Sequence, residues 1–138
     1  MDREIFNQLL DQEQIGWDWF AIQLDNGCEI MAFQVRSETG EPYYSGSFVG
    51  LNGDVTSLSK ENLKLTALDY WESEKSNNRY PIKWKLSLPS LNQEYIITAR
   101  FNNQELYNPI PFPFYYWEGQ SLVTGSTTGK AYMELVGY

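Results

Sequence analysis

The 138-residue chain contains no histidine and one cysteine, Cys28. Without histidine, the common zinc and haem sites and the Ser-His-Asp triad lose their usual participant. A single cysteine cannot form a disulfide within the chain. Because Cys28 falls at a predicted hairpin turn with no histidine to activate it, it is most simply a small residue without a chemical role. Any catalysis must therefore use carboxylates, tyrosines or this thiol.

Motifs that bind phosphate or transition metals are also missing. The sequence has no GxxxxGK[ST], no GxGxxG after a predicted strand, no CxxC and no HExxH. Acidic turns could bind calcium weakly, but the spacing of an EF-hand is absent. We therefore expect neither a metal nor a cofactor.

Basic residues are few, with 10 Lys and Arg against 18 Asp and Glu and a net charge of −8. This charge repels polyanions, so we expect no nucleic-acid partner. No apolar run approaches the ~18 residues that a membrane span requires, and the N-terminus lacks the apolar core of a signal peptide. We expect a chain without a membrane span that is cytoplasmic by default.

The length predicts one domain, residues 1–138. Residues 1–15 form a helical or junction segment in this interpretation, and residues 16–138 form a barrel or sandwich. The short helix is predicted from four apolar residues at helical spacing: Ile5, Phe6, Leu9 and Leu10.

Segments rich in β-branched and aromatic residues alternate with turn sequences through the rest of the chain. Asp25-Asn26-Gly27 and Asn52-Gly53-Asp54 supply the positive-φ positions that hairpin turns need. The predicted strands are 17–24, 29–36, 45–51, 55–58, 63–71, 82–88, 94–101, 117–124 and 130–136.

Segment 108–117 carries three prolines among apolar and aromatic residues, and proline excludes a central strand. Two interpretations stay open. The segment is either a long connection packed against the barrel, or a hydrophobic lid or partner surface.

Carboxylates stand beside tryptophan in Trp17-Asp18-Trp19, Tyr70-Trp71-Glu72 and Trp117-Glu118-Gly119. Aromatic walls desolvate a carboxyl group and raise its pKa, so that it can act as a general acid near neutrality. In the alternative interpretation, each tryptophan caps the core while its acidic neighbour points to solvent.

Other polar residues fall where the inner face of a strand is expected. They either form a structural ion pair between arginine and glutamate or orient the polar end of a ligand. These residues are Gln23, Gln34, Arg36, Arg100, Gln104 and Glu105. Glu134, between Met133 and Leu135, is expected to point outward.

The string Gly16-Trp17-Asp18-Trp19-Phe20, followed by Gln23-Leu24-Asp25-Asn26-Gly27, resembles the start of a known domain. It is the C-terminal lipocalin-like domain of carotenoid 1,2-hydratase (hydroxyneurosporene synthase) and AttH-like proteins. Arg79-Tyr80-Pro81-Ile82 and Tyr116-Trp117-Glu118-Gly119 also agree. The resemblance implies an all-β, lipocalin-like (calycin-type) antiparallel barrel of about eight to nine strands, with the short N-terminal helix.

In that family the complete protein usually carries two such domains in tandem, joined by a segment similar to Met1-Asp2-Arg3-Glu4. This chain begins at that motif and resembles the second half alone. We therefore expect either a homodimer, with apolar contacts around Ile5, Phe6 or 109–114, or docking on a separately encoded N-terminal lipocalin-like domain.

The resemblance further implies a pocket for an apolar small molecule, isoprenoid-like or polyketide-like, since family members add water to an alkene of a carotenoid. Three hypotheses follow: a binding module, a hydratase or isomerase, and a structural half-domain. The catalytic candidates are Asp2, Glu4 and Asp18. The ligand-binding candidates are Trp17, Trp71, Tyr80, Trp84, Trp117 and Glu118.

Overall fold

The computed structural model of the chain describes residues 13–109 and 113–138. The predicted N-terminal helix, with Asp2 and Glu4, lies outside the described residues. Within the described residues, the regular structure consists of ten strands and one 3-10 turn, Pro89–Leu91. The strands are β1 Gln14–Leu24, β2 Glu29–Ser37, β3 Tyr43–Val49, β4 Val55–Ser59, β5 Lys64–Glu72, β6 Arg79–Leu88, β7 Gln93–Ala99, β8 Glu105–Asn108, β9 Phe114–Gly125 and β10 Gly129–Val136.

All ten strands belong to one antiparallel sheet that curls into a half-barrel, so the predicted all-β, lipocalin-like architecture is confirmed. The strand order is β4-β3-β2-β1-β10-β9-β7-β6-β5, and β8 pairs with β9. β1 and β10 pair from Trp17 opposite Val136 to Leu24 opposite Gly129. β4 and β5 are the two ends of this order, which leaves the half-barrel open between them.

Tight turns place consecutive strands side by side, as the turn sequences predict. Gly27 has φ +86° and donates its N–H to the Leu24 carbonyl at 2.9 Å, which closes the β1–β2 hairpin. The β3–β4 hairpin closes in the same way, with the Gly53 N–H on the Gly50 carbonyl at 2.9 Å. The remaining register is then fixed by which face of each strand is apolar.

The inner face of the curled sheet is the hydrophobic core. On β6 the predicted alternation is confirmed, since Ile82, Trp84, Leu86 and Leu88 are all buried. Phe20 meets Trp84 edge-to-face, with ring centroids 5.4 Å apart. Because Phe20 and Leu86 have no surface that water can reach, no water-sized void adjoins them.

Strand β8 and the start of β9 were not predicted. The interpretation of 108–117 as a connection is wrong from Phe114 onward, where β9 begins. Leu106 pairs with Tyr116 across the β8–β9 ladder. Pro109 and Pro113 stay outside both strands, so neither removes an N–H donor from the ladder.

Gln23 and Arg100, predicted on inner faces, lie outside instead. Gln23 is exposed because it falls between the buried Ile22 and Leu24, and alternate side chains point to opposite faces. Arg100 and Phe101 follow β7, which ends at Ala99, and both are exposed. Glu134 points outward as predicted and is half-buried.

Candidate functional site

The open side of the half-barrel contains a cavity of about 560 Å³. It lies between the residues around the start of β3 and those that connect β4 to β5. Leu63 and Leu65 give it an apolar wall continuous with the core, and four exposed charged residues stand at its rim. The full lining is Glu41, Pro42, Tyr44, Lys60, Glu61, Leu63, Lys64, Leu65 and Thr66.

A buried polar cluster centred on Asp18 lies at one end of the core. The alternation of β1 turns Asp18 inward, and its side chain has no exposed surface. Oδ1 accepts the Tyr138 hydroxyl at 2.6 Å. Oδ2 accepts the Gln34 amide at 2.7 Å and forms an ion pair with Arg36 Nε at 3.2 Å. Both carboxylate oxygens are therefore occupied by partners from within the chain.

Arg36 joins this cluster to the end of β10. Its guanidinium donates to the carbonyls of Val136 and Gly137 and lies 3.9 Å from the centre of the Tyr138 ring. Gly137 has φ +83°, and a Cβ there would lie 1.9 Å from the Ile15 carbonyl oxygen. Only glycine fits this approach, so residue 137 fixes where the Tyr138 side chain enters the cluster.

Burial sets the electrostatics of the cluster. Desolvation raises the pKa of Asp18 above its ordinary value, although Arg36 and the hydrogen bonds from Tyr138 and Gln34 oppose that rise. Desolvation and the nearby Asp18 also raise the pKa of Tyr138. The cluster therefore holds a carboxyl group that protonates more readily than a solvated one, next to a phenol that keeps its proton.

Tyr44 connects the Asp18 cluster to the cavity. It points inward from β3, packs against the core and forms part of the cavity wall. Burial raises its pKa, and the charges of Asp18 and Glu41 raise it further. The Tyr44 phenol therefore lies between the cavity and the Asp18 cluster.

A second buried carboxylate, Glu105, lies at the same end of the barrel. It accepts the Ser73 hydroxyl at 2.6 Å, the Tyr80 hydroxyl at 2.9 Å and the Ser76 hydroxyl. The Tyr80 ring lies 5.7 Å from that of Tyr138, which links the two clusters. Burial raises the pKa of Tyr80 to about 12.

The structure brings together only some of the residues predicted from sequence. Asp18 and Tyr80 belong to the two clusters, and the Trp71 ring stacks on Tyr80 with centroids 6.3 Å apart. Trp84 and Trp117 are core residues, and their indole N–H groups donate to the carbonyls of residues 81 and 102. For Trp117 this is the alternative interpretation, in which the tryptophan packs in the core and its acidic neighbour points outward.

Trp17 and Glu118 lie on the outer face of the sheet, away from the cavity. Asp2 and Glu4 are outside the described residues.

The predicted inner-face ion pair exists, but arginine pairs with aspartate rather than glutamate. Sequence reasoning missed Tyr44, Ser73 and Tyr138 as members of these clusters. Tyr44 stands at an even position within β3, where the Gly46 and Phe48 side of the strand faces inward, and this parity was the available signal. Tyr138 carried no such signal, because it follows the last strand.

Within residues 13–109 and 113–138, no group of three or more acidic, cysteine or histidine side chains could hold a metal ion. The described part of the chain also has no helix long and apolar enough to cross a membrane.

The AttH-like family model matches residues 1–138. No curated protein sequence matches the chain. A solved protein of Nitrosomonas europaea named AttH superposes with a TM-score of 0.85 at 28% identity, over 95% of this chain and 41% of that chain.

Kievitone hydratase from Nectria haematococca superposes with a TM-score of 0.71 at 20% identity, over 90% of this chain and 40% of that chain. At this identity the likeness shows the fold alone. The chain spans about two fifths of the length of each solved relative.

Proposed function

Because the chain belongs to the AttH-like family, we propose that it binds a small, apolar, isoprenoid-like molecule at the open side of its half-barrel. The observation that carries this proposal is the cavity of about 560 Å³ between β3 and β5. Its volume falls within the roughly 300–1,000 Å³ range of small-molecule sites.

The two sides of the cavity suit the two ends of such a ligand. Leu65, backed by the buried Leu63, and the half-buried Tyr44 ring offer apolar surface next to the core, where an alkyl or isoprenoid chain would leave water. Lys60 and Lys64 at the rim, with the Tyr44 phenol deeper inside, supply hydrogen-bond donors for a polar end.

The test is a titration with all-trans-retinol, an isoprenoid alcohol whose fluorescence rises in apolar surroundings. Thr66 is exposed and lines the cavity, so Thr66→Trp fills the space without disturbing the core. We expect roughly tenfold weaker binding, the loss of about 1.4 kcal/mol of contact.

Leu68→Trp is the matched control, because Leu68 is exposed on the same strand and does not line the cavity. Equal affinity of Thr66→Trp and the unmodified chain, or no binding by either, contradicts the proposal.

A hydratase activity is the second candidate, favoured by the raised pKa of Asp18 behind an aromatic wall close to the cavity. Asp18 would give its proton to an alkene carbon. Water would then add to the neighbouring cationic carbon and return one proton to the Asp18 carboxylate, which restores the acid. Because Tyr138 and Gln34 cover both Asp18 oxygens, the Tyr138 side chain must move before a ligand reaches them.

Kievitone is a suitable trial substrate, with the gain of one water followed by mass spectrometry. Asp18→Asn should abolish turnover while the affinity for kievitone stays nearly unchanged. Asp2→Asn and Glu4→Gln test the two other predicted acids in the same assay. If turnover survives all three substitutions, the acid assignment is wrong.

A further inference from the structure

The outer face of β10 carries a cation, an aromatic ring and an anion in a row. Lys130, Tyr132 and Glu134 point outward, while Ala131, Met133 and Leu135 between them are buried. Lys130 and Glu134 are four residues apart on one strand, which separates them by about 13 Å. Tyr132 lies midway and is 40% exposed.

The outer face around this row is aromatic. Trp17 and Trp19 on β1 and Phe33 on β2 face outward and are only half-buried. The outer face of β6, by comparison, carries Lys83 and Lys85. Both regions lie on the outer face of the same sheet. The half-exposed indole and phenyl rings around β10, compared with the lysines on β6, therefore mark the β10 region as a contact surface.

Charge is divided between the two ends of the β10 row. At one end Glu134 lies directly opposite Glu118 of β9, and Trp17 donates its indole N–H to Glu134 at 2.8 Å. At the other end Lys130 forms no ion pair with any described residue, and neither does Arg100, whose backbone is level with Tyr132. Each end is thus complementary to the opposite end of the same surface.

The half of the row between Lys130 and Tyr132 is concave. A cavity of about 420 Å³ adjoins Tyr132 on this outer face. Its lining contains both cations and no carboxylate: Ala21, Gln23, Arg100, Gln120, Ser121, Leu122, Lys130, Ala131 and Tyr132. A protruding aromatic ring from another molecule can therefore enter next to Tyr132.

We propose that this outer face of β1, β9 and β10 binds a second copy of the chain around a two-fold axis that passes close to Tyr132. A rotation of 180° about that axis exchanges the two ends of the row. Lys130 then faces the partner's Glu134, and Glu134 faces the partner's Lys130. The two Tyr132 rings meet at the centre, as an isologous contact requires.

Charge reversal tests this arrangement in the full 138-residue chain by sedimentation velocity. Lys130→Glu places a carboxylate opposite a carboxylate at both ends, and Glu134→Lys places an ammonium opposite an ammonium. Each variant alone should self-associate roughly tenfold more weakly than the unmodified chain.

An equimolar mixture of the two variants is the decisive measurement. In a mixed pair every contact of residue 130 with residue 134 again joins opposite charges, so association should return to within about threefold of the unmodified chain. Recovery in the mixture also shows that both variants are folded.

Lys83→Glu is the matched control, because it changes the net charge equally on the outer face of β6. It should leave the association unchanged. The proposal is overturned if the unmodified chain stays monomeric at high micromolar concentration, if the mixture associates no better than the single variants, or if Lys83→Glu weakens association as much as Lys130→Glu does.

Discussion

Two buried carboxylates at the same end of the barrel are stabilised in different ways. Asp18 forms an ion pair with Arg36 and accepts hydrogen bonds from Gln34 and Tyr138. Glu105 accepts hydroxyl groups and forms no ion pair with any residue that the structure describes. The first cluster joins β1, β2 and β10 with the two residues that follow β10. The second joins β8 to the turn after β5 and to the start of β6.

The two clusters differ in how a buried negative charge is stabilised. Asp18 has no exposed surface, and its charge is balanced by a cation that is itself only 17% exposed. Removing either Asp18 or Arg36 therefore leaves the charge of the other buried without a counter-charge and with little water to solvate it. Glu105 accepts hydrogen bonds from neutral hydroxyl groups, so replacing it leaves no buried charge without a counter-charge. Substitutions at the two sites should accordingly differ in size and in how they are rescued.

The largest loss of stability is expected from Asp18→Ala. Arg36 would keep its charge without a carboxylate beside it, which costs about 3–5 kcal/mol of unfolding free energy. Urea unfolding measures this loss. Replacing Arg36 by Met in the same chain should recover part of it, because the stranded cation is removed.

The exposed ion pair between Lys85 and Glu94, at 2.7 Å, provides the control for Asp18→Ala. Glu94→Ala should cost far less than Asp18→Ala, since solvent screens both charges. If Asp18→Ala costs no more than Glu94→Ala, the Asp18 cluster is not the buried ion pair described above.

Glu105→Gln should have the next largest effect, about 2–3 kcal/mol by urea unfolding. The amide keeps the shape of the side chain, but the hydroxyls of Ser73, Ser76 and Tyr80 lose a charged acceptor. Glu72→Gln is the control, because Glu72 is exposed at the same end of the sheet. A loss equal to that control would show that the hydroxyl contacts contribute nothing.

Removing single hydroxyl groups should give smaller losses and compare the clusters directly. Tyr138→Phe deprives Asp18 of one of its donors and should cost about 1.5 kcal/mol. Tyr80→Phe should cost about 1 kcal/mol, because two serine hydroxyls still donate to Glu105. The reverse order, measured by thermal or urea unfolding, would mean that Glu105 depends more on its phenol than Asp18 does.

The smallest effect concerns pH. Burial raises the pKa of Asp18 above its ordinary value of 3.8, so the folded chain holds this proton more tightly than the unfolded chain. Stability from this proton is present below pH 3.8 and is lost as pH rises through the raised pKa.

The difference in unfolding free energy between the unmodified chain and Asp18→Asn should therefore narrow as pH rises from about 4 to 8. Urea unfolding across this range measures it, and Glu94→Gln serves as a surface control. A widening gap would mean that Arg36 outweighs desolvation at Asp18.

Much of the architecture was predictable because it rests on local patterns. The alternation from Ile82 to Leu88 and the glycine turn at residue 27 each fix a strand or a hairpin without reference to distant residues. Asp18 is buried, as a desolvated carboxyl group must be, but Trp17 and Trp19 face outward, so the core and not these neighbouring rings excludes water from it.

The residues that contact Asp18 were harder to predict from the sequence. Nothing near Asp18 in the sequence indicates Tyr138, which is 120 residues away and arrives only because β10 pairs with β1. Strand β8 was missed for the same reason, since four residues carry too short an alternation to stand out. Arg100 was placed on an inner face because its strand was predicted to run to residue 101. β7 ends at Ala99, so the alternation of inward and outward side chains does not extend to Arg100.

The sequence by itself determined the all-β class, the turns, the inner faces of most strands and the acidic charge, because each depends on residue type and on a period of two. The tertiary structure decided that Arg36 and Tyr138 meet Asp18, that β4 and β5 leave a cavity between them, and that half-exposed aromatic rings share the outer face of β10 with separated charges. These features depend on strand order and curvature, which arise from packing between segments far apart in the chain.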